Sequence, residues 1–198
     1  MNEKTRRTRP NRQDIVRRIR DVFRERGYDG ATLTALAEAT GLERASLYHY
    51  FPGGKEAMAE AALSDVEDQL EATLLAPLRQ GGTITERVEG MVRALDGYYN
   101  GGRSGCLLAA LALNRSDHQL GTRVAASFEA WAKALTALAI EAGVPNPQVC
   151  AEDIIVLIQG GLVLSAGLSD PSPFRRALQR VVTLMAGSDE APSGRRHQ

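Results

Sequence analysis

Aromatic side chains are scarce in this 198-residue chain: five Tyr, four Phe and one Trp. Cysteine is scarcer, at two. Cys106 and Cys150 make neither a disulfide framework nor a Cys-x-x-Cys pair, so a disulfide-stapled secreted fold is excluded. A reducing cytoplasm is the expected compartment. No uninterrupted apolar run approaches the roughly 18 residues of a membrane span, and the opening MNEKTRRTRP lacks the apolar core of a secretory signal. Neither a membrane partner nor export is expected. Histidine is limited to His49, His118 and His197, too far apart for metal-ligand spacing. The loops GGRSG and GGK lack the spacing of a phosphate loop and follow no strand. No Gly-x-Ser-x-Gly elbow occurs. No cofactor, no metal and no catalytic residues are expected, and the chain does not read as an enzyme.

Net charge is also lacking, since 24 Lys and Arg balance 24 Asp and Glu. The balance hides an asymmetry. Residues 1–55 hold 12 basic against 7 acidic residues; residues 56–198 hold 12 against 17. A basic head on an acidic body suggests a polyanion partner for the head, although a solvated basic helix face accounts for the charge equally well. Polar composition and terminal position make residues 1–10 and 188–198 flexible tails.

Helical periodicity runs nearly throughout. Ile15, Val16, Ile19, Val22 and Phe23 recur at helical spacing until Gly27. Short helices are expected over 33–40, capped by Thr32, and over 43–50, with Gly41 between them. Longer ones follow over 54–76, ended by Pro77, and over 84–99. CLLAALALN reads as a short buried helix. Helices are then expected over 117–142, 148–167 and from Pro171 to about 186. IIVLI is strand-like by composition, but it sits inside a longer helical pattern and reads as a helix buried on more than one side. The fold class is all-α, with about nine helices. A three-helix head over 11–53 precedes a larger helical body over 54–187.

Three of the scarce aromatics, Tyr48, Tyr50 and Phe51, crowd together with His49 inside TGLERASLYHYFPGGKEAM. A short helix, a Gly turn and a second short helix make a helix-turn-helix. Its second helix enters the major groove of double-stranded DNA, N-terminal residues first. Those residues are Arg44, Ala45 and Ser46, and Arg44 can pair with guanine. Leu47 and Phe51 should anchor the helix on the core. Tyr48 and Tyr50, with His49 between them, and Lys55 stand where they can meet phosphates, which fixes register without reading sequence. The bland alternative, that these rings are all core, is accepted here for Phe51 alone.

The stretch ATLTALAEATGLERASLYHYFPGGKEAM, 31–58, with the helix before it, resembles the TetR family of transcriptional regulators over about residues 11–60. GCLLAALAL at 105–113, FEAWAKAL at 128–135 and QGGLVLSAGLSDPSPF at 159–174 are similar to its LmrA/YxaF-like branch. The resemblance implies a homodimer that binds operator DNA and is released by a small-molecule inducer. It implies that Thr32 caps the second helix near a phosphate, that Tyr48, Tyr50 and Lys55 contact the backbone, and that Arg44, Ala45 and Ser46 face bases. Two departures stand out. Glu43 opens the reading helix where the family usually has Ser, and the second glycine of PGGK could displace Lys55.

The body would then supply a cavity and a dimer face. Tyr98, Tyr99, Cys106, Phe128, Trp131 and Gln159 are the cavity candidates, being apolar or aromatic with a few polar groups; any one of them alone reads more readily as core. QGGLVLSAG is small-residue-rich enough for close helix contact. Gly160, Gly161, Leu164, Phe174, Leu178 and Val182 are the interface candidates, with intramolecular core as the competing reading. Two rival functions remain: a dimeric DNA-binding protein without an inducer, and an all-α enzyme. Both cysteines read as small buried hydrophobes, with redox sensing as the alternative.

Overall fold

The computed structural model describes residues 11–113 and 118–186. The expected tails, 1–10 and 188–198, lie outside the described residues. Among the described residues every regular element is helical.

Helix α1 (Arg12–Gly30) starts at Asn11, whose Oδ1 accepts from the Asp14 N–H at 2.8 Å. It buries Ile15, Val16, Ile19, Val22 and Phe23, the stripe legible in the sequence. Gly27 breaks the helical geometry at φ +66°, ψ 178°. Tyr28 then turns back to stack on Phe23, ring centres 5.8 Å apart. Helices α2 (Leu33–Thr40) and α3 (Arg44–Tyr50) complete the head.

Helix α4 (Gly54–Leu70) does not stop at Pro77 as the sequence suggests. It continues through a π-helical turn, Glu71–Leu75, into α5 (Ala76–Arg79). Proline clashes with the carbonyl four residues earlier in a regular helix. The widened turn directly before Pro77 relieves that crowding, so the chain stays helical past it.

The body continues with α6 (Ile84–Tyr98), a 3-10 turn at Asn100–Gly102, α7 (Leu107–Ala112), α8 (His118–Glu141), α9 (Pro147–Leu168) and α10 (Ser172–Met185). Counting 54–79 as one rod, the described residues form nine α-helical rods. A capping box opens α6: Thr83 Oγ1 accepts from the Glu86 N–H, and the Glu86 carboxylate accepts from the Thr83 N–H at 2.8 Å.

Head and body share one continuous core, from Ile15 to Met185. Helix α1 packs on α2, α4 and α7, while α9 lies against α8 and α10, and α10 against α6. The 3-10 turn that follows α6 also meets α10, and unusually closely. A Cβ on Gly102 would sit 2.8 Å from Phe174 Cβ, and Gly102 has φ +90°. No other residue fits there without displacing α10.

Helix α9 is long and apolar enough to cross a membrane by length and composition. The sequence contains no unbroken run of that length because Glu152, Asp153 and Gln159 interrupt it. A core helix passes the same test. Here Ile154, Ile158 and Leu162 are buried inside the chain, while Val156, Val163, Leu164 and Leu168 remain exposed.

Candidate DNA interface and effector cavity

The head is assembled by caps and one left-handed turn. Thr32 Oγ1 accepts from the Ala35 N–H at 3.2 Å, as the sequence suggests for a cap. Gly41 ends α2 at φ +70° and donates to Ala37 O at 2.9 Å. Thr40 is buried and satisfies its hydroxyl on Leu36 O at 2.7 Å. These bonds close the α2 end of the turn and set the direction in which the chain enters α3. Leu47 and Phe51 are buried and anchor α3.

Outward from α3 stand Arg44, Ala45, Tyr48 and His49, all exposed, with Ser46 and Tyr50 half-buried. Arg44 donates to the Thr34 hydroxyl on α2, which holds its guanidinium beside the turn. Glu43 takes the cap position of α3 and makes no side-chain capping bond. The Tyr48 ring lies over the second glycine of PGGK, since a Cβ on Gly54 would be 3.4 Å from Tyr48 Cε1. Gly54 itself has φ +67° and starts α4.

Lys55, expected to meet a phosphate, is the second residue of α4. Its Nζ lies 4.4 Å from the centre of the Tyr28 ring. The aromatic turn after Gly27 therefore holds this charge by a cation–π contact. This contact is not legible in the periodicity, because the break at Gly27 is what folds Tyr28 back.

Behind the head, the body encloses a cavity between α4, the π turn, α6, α7 and α8. Tyr98, Tyr99, Cys106 and Trp131 line it, together with Val66, Leu70, Thr73, Leu74, Ala94, Leu95 and Leu108. Its free interior is about 20 Å³, room for one water molecule. Burial pushes the Tyr98 hydroxyl above its ordinary pKa, with the Arg24 charge opposing. Burial pushes Tyr99 further the same way, reinforced by the neighbouring Cys106. Both rings are therefore neutral phenols. The Tyr98 hydroxyl and the Trp131 indole N–H are buried without a protein partner. An unpaired buried donor costs about 1–3 kcal/mol, so this wall favours anything that brings an acceptor to it.

Two expected cavity residues lie elsewhere. Phe128 is half-buried against the core and does not line the cavity. Gln159 is one residue removed, its Nε2 donating to Cys106 Sγ at 3.6 Å. Helix α8 buries Val124, Ser127, Trp131 and Leu135, and Phe128 lies at the edge of that stripe beside Ser127.

The interface candidates also divide. Phe174 and Leu178 are buried within the chain, and Val182 is half-buried. Gly161 faces α10, where a Cβ would lie 3.0 Å from Ala177 Cβ and 3.1 Å from Phe174 Cα. Its smallness serves the contact between α9 and α10 of one chain. Gly160 has nothing within 4 Å of a would-be Cβ, and Leu164 is exposed beside it. The outer stripe of α9 thus runs through Val156, Gly160, Val163 and Leu164.

Known proteins share this arrangement. The family model described as bacterial regulatory proteins, tetR family, matches residues 15–62. The model of the C-terminal domain of LmrA/YxaF-like transcriptional regulators matches residues 83–180. The chain belongs to the TetR family, in its LmrA/YxaF-like branch.

Among TetR-family relatives, the HTH-type transcriptional regulator LmrA of Bacillus subtilis is 22% identical over 82% of this chain and 90% of its own. The transcriptional repressor AcnR of Corynebacterium glutamicum is 33% identical over 44% of each chain. A TetR transcriptional regulator from Legionella pneumophila has the same fold, with a TM-score of 0.77 at 21% identity over 88% of this chain and 97% of that one. So has the TetR-family regulator CifR, in a structure with a 26-bp operator duplex, with a TM-score of 0.70 at 22% identity over 87% and 96%.

The α4 side of the TetR-family cavity was not visible in the sequence. Val66, Leu70 and Leu74 recur every four residues, as in any helix with one buried face. The π turn adds a residue to one turn and brings Thr73 onto the cavity wall beside Leu74. A regular helical period cannot show that.

Proposed function

We propose that this chain is a ligand-responsive transcriptional repressor. Two copies bind a pseudo-palindromic operator, and a small, largely apolar inducer entering the body releases it. The head is residues 11–53, the body is 54–187, and the site of action is the cytoplasm, where the DNA is. Arg44, Ala45 and Ser46 read bases; Thr32, Tyr48, His49, Tyr50 and Lys55 meet the backbone. The outer stripe of α9 joins the two copies.

The observation that carries this reading is the pairing of an exposed, anchored α3 with a nearly closed aromatic cavity behind it. A ligand larger than one water must push the walls apart, and those walls belong to the helices that bear the head. Differential affinity for the expanded and collapsed states is all that a switch requires. A second reading, a dimeric DNA-binding protein with no inducer, draws on the same small free volume.

A screen of small aromatic ketones and phenols by thermal shift separates the two readings. Compounds that raise the melting temperature by mass action, and lower operator affinity, support the first. A panel that binds nowhere, or binds without changing operator affinity, supports the second.

A further inference from the structure

Arg24 lies on α1, outside the reading surface and outside the expected cavity residues. Its side chain is only 8% exposed. The guanidinium carbon lies 4.8 Å from the centre of the Tyr98 ring and 5.9 Å from that of Tyr99. Nε donates to Gly105 O at 3.0 Å, and Nη1 is 3.7 Å from the Asp21 carboxylate. Nη2 is buried without a partner.

We propose that Arg24 is the positioning residue that couples the cavity wall to the DNA-reading head. The inference rests on the ligand-responsive reading above and names the part that transmits it. Tyr98 and Tyr99 both line the cavity and meet edge to face, ring centres 4.9 Å apart. Tyr99 in turn meets Phe174 on α10, edge to face at 5.6 Å. The two rings therefore cannot part without either moving Arg24 or giving up its cation–π contacts, which are strong when desolvated. Arg24 is fixed to α1, and α1 packs directly on α2 of the head.

The same helix has a second tie, Arg20 to Asp65 on α4 at 2.8 Å. That tie ends on the half-buried Asp65, whereas Arg24 lies against the cavity rings themselves. The backbones are close at this point too: a Cβ on Gly105 would be 3.4 Å from Arg24 O. The unpaired Nη2 makes the arrangement two-sided. In the collapsed state it costs a buried donor, and a shift of the rings that lets it reach an acceptor recovers that cost. A side chain whose pairing changes between the two states is what a coupling element requires.

The test uses Trp131, the only tryptophan, on the same cavity wall. Duplexes selected by the wild-type protein from a random pool supply the operator. Acrylamide quenching of Trp131 is measured with and without saturating duplex. If the reading head and the cavity wall are coupled, the wild-type signal should change on DNA binding. Arg24→Met, which keeps the stem and removes the charge and hydrogen bonds, should bind the duplex but lose that change. Tyr98→Leu removes the ring from the other side and should lose it as well, so the link is testable even if the Met variant fails to fold. A merely structural role for Arg24 lowers the melting temperature and leaves the quenching change intact; that result in either folded variant overturns the proposal. An aromatic ketone or phenol that binds the wild-type protein equally tightly with and without saturating duplex overturns the ligand-responsive reading itself.

Discussion

Arg44, the first residue of the reading helix, donates a hydrogen bond to the hydroxyl of Thr34 on the preceding helix. The side chain expected to read a base is thus held beside the turn before DNA arrives. Arg44→Ala should relax base preference at one position of the half-site and cost roughly 1–3 kcal/mol. Thr34→Val should keep the preferred sequence and weaken binding, because it removes only the support. Selection from random duplexes by each variant checks both. An unchanged consensus for Arg44→Ala moves the reading face elsewhere on α3.

Tyr48 is 46% exposed, with its ring over Gly54. Tyr48→Phe keeps that packing and removes the hydroxyl. The expected result is weaker binding to all sequences by a similar factor, since phosphate contacts position without specifying. Titration against the selected duplex and a scrambled one measures the two losses. A loss confined to the selected duplex assigns Tyr48 to base reading.

Much of this head was legible in sequence because its signals are local. A cap at Thr32, a left-handed Gly41, and Leu47 and Phe51 four apart all lie within one short stretch. The cavity was legible in part. Tyr98, Tyr99, Cys106 and Trp131 stand out by residue type, but the α4 wall depends on a π turn that no periodicity announces. The roles of Gly160 and Gly161 were the least legible. They are neighbours on one helix, and only the position of α10 decides which of them is enclosed.

That distinction gives a paired expectation. Gly161→Ala places a Cβ 3.1 Å from the Phe174 backbone and 3.0 Å from Ala177 Cβ. It should destabilise each subunit by overpacking, by about 1–3 kcal/mol. Gly160→Arg meets open space within the chain. It should leave the folded subunit intact and break the dimer by putting a charge on an apolar docking stripe. Thermal melts and sedimentation read the two effects separately. A dimer that survives Gly160→Arg places the subunit contact away from this stripe.

The Thr83–Glu86 box makes the start of α6 sensitive to acid. Bonds from the Thr83 backbone, then from its hydroxyl, hold the Glu86 carboxyl below its ordinary pKa of 4.5. A lowered folded-state pKa gives stability that is fully present above 4.5 and is lost as pH falls through the lower value. Thr83→Ala should cost roughly 1 kcal/mol at neutral pH and less in acid. Denaturant melts at pH 7 and at pH 3 measure the difference. An equal cost at both values means that the Thr83 hydroxyl contributes nothing through the Glu86 charge.

The most direct test of the account is the DNA itself. The purified full chain is incubated with a pool of random duplexes, and the retained sequences are read after several rounds. A pseudo-palindrome should emerge, with half-site centres roughly one helical turn or slightly more apart, bound by two chains per duplex with an affinity that falls steeply with salt. Failure to enrich any sequence, or a single asymmetric site bound by one chain, would contradict the reading of this protein as a dimeric operator-binding repressor.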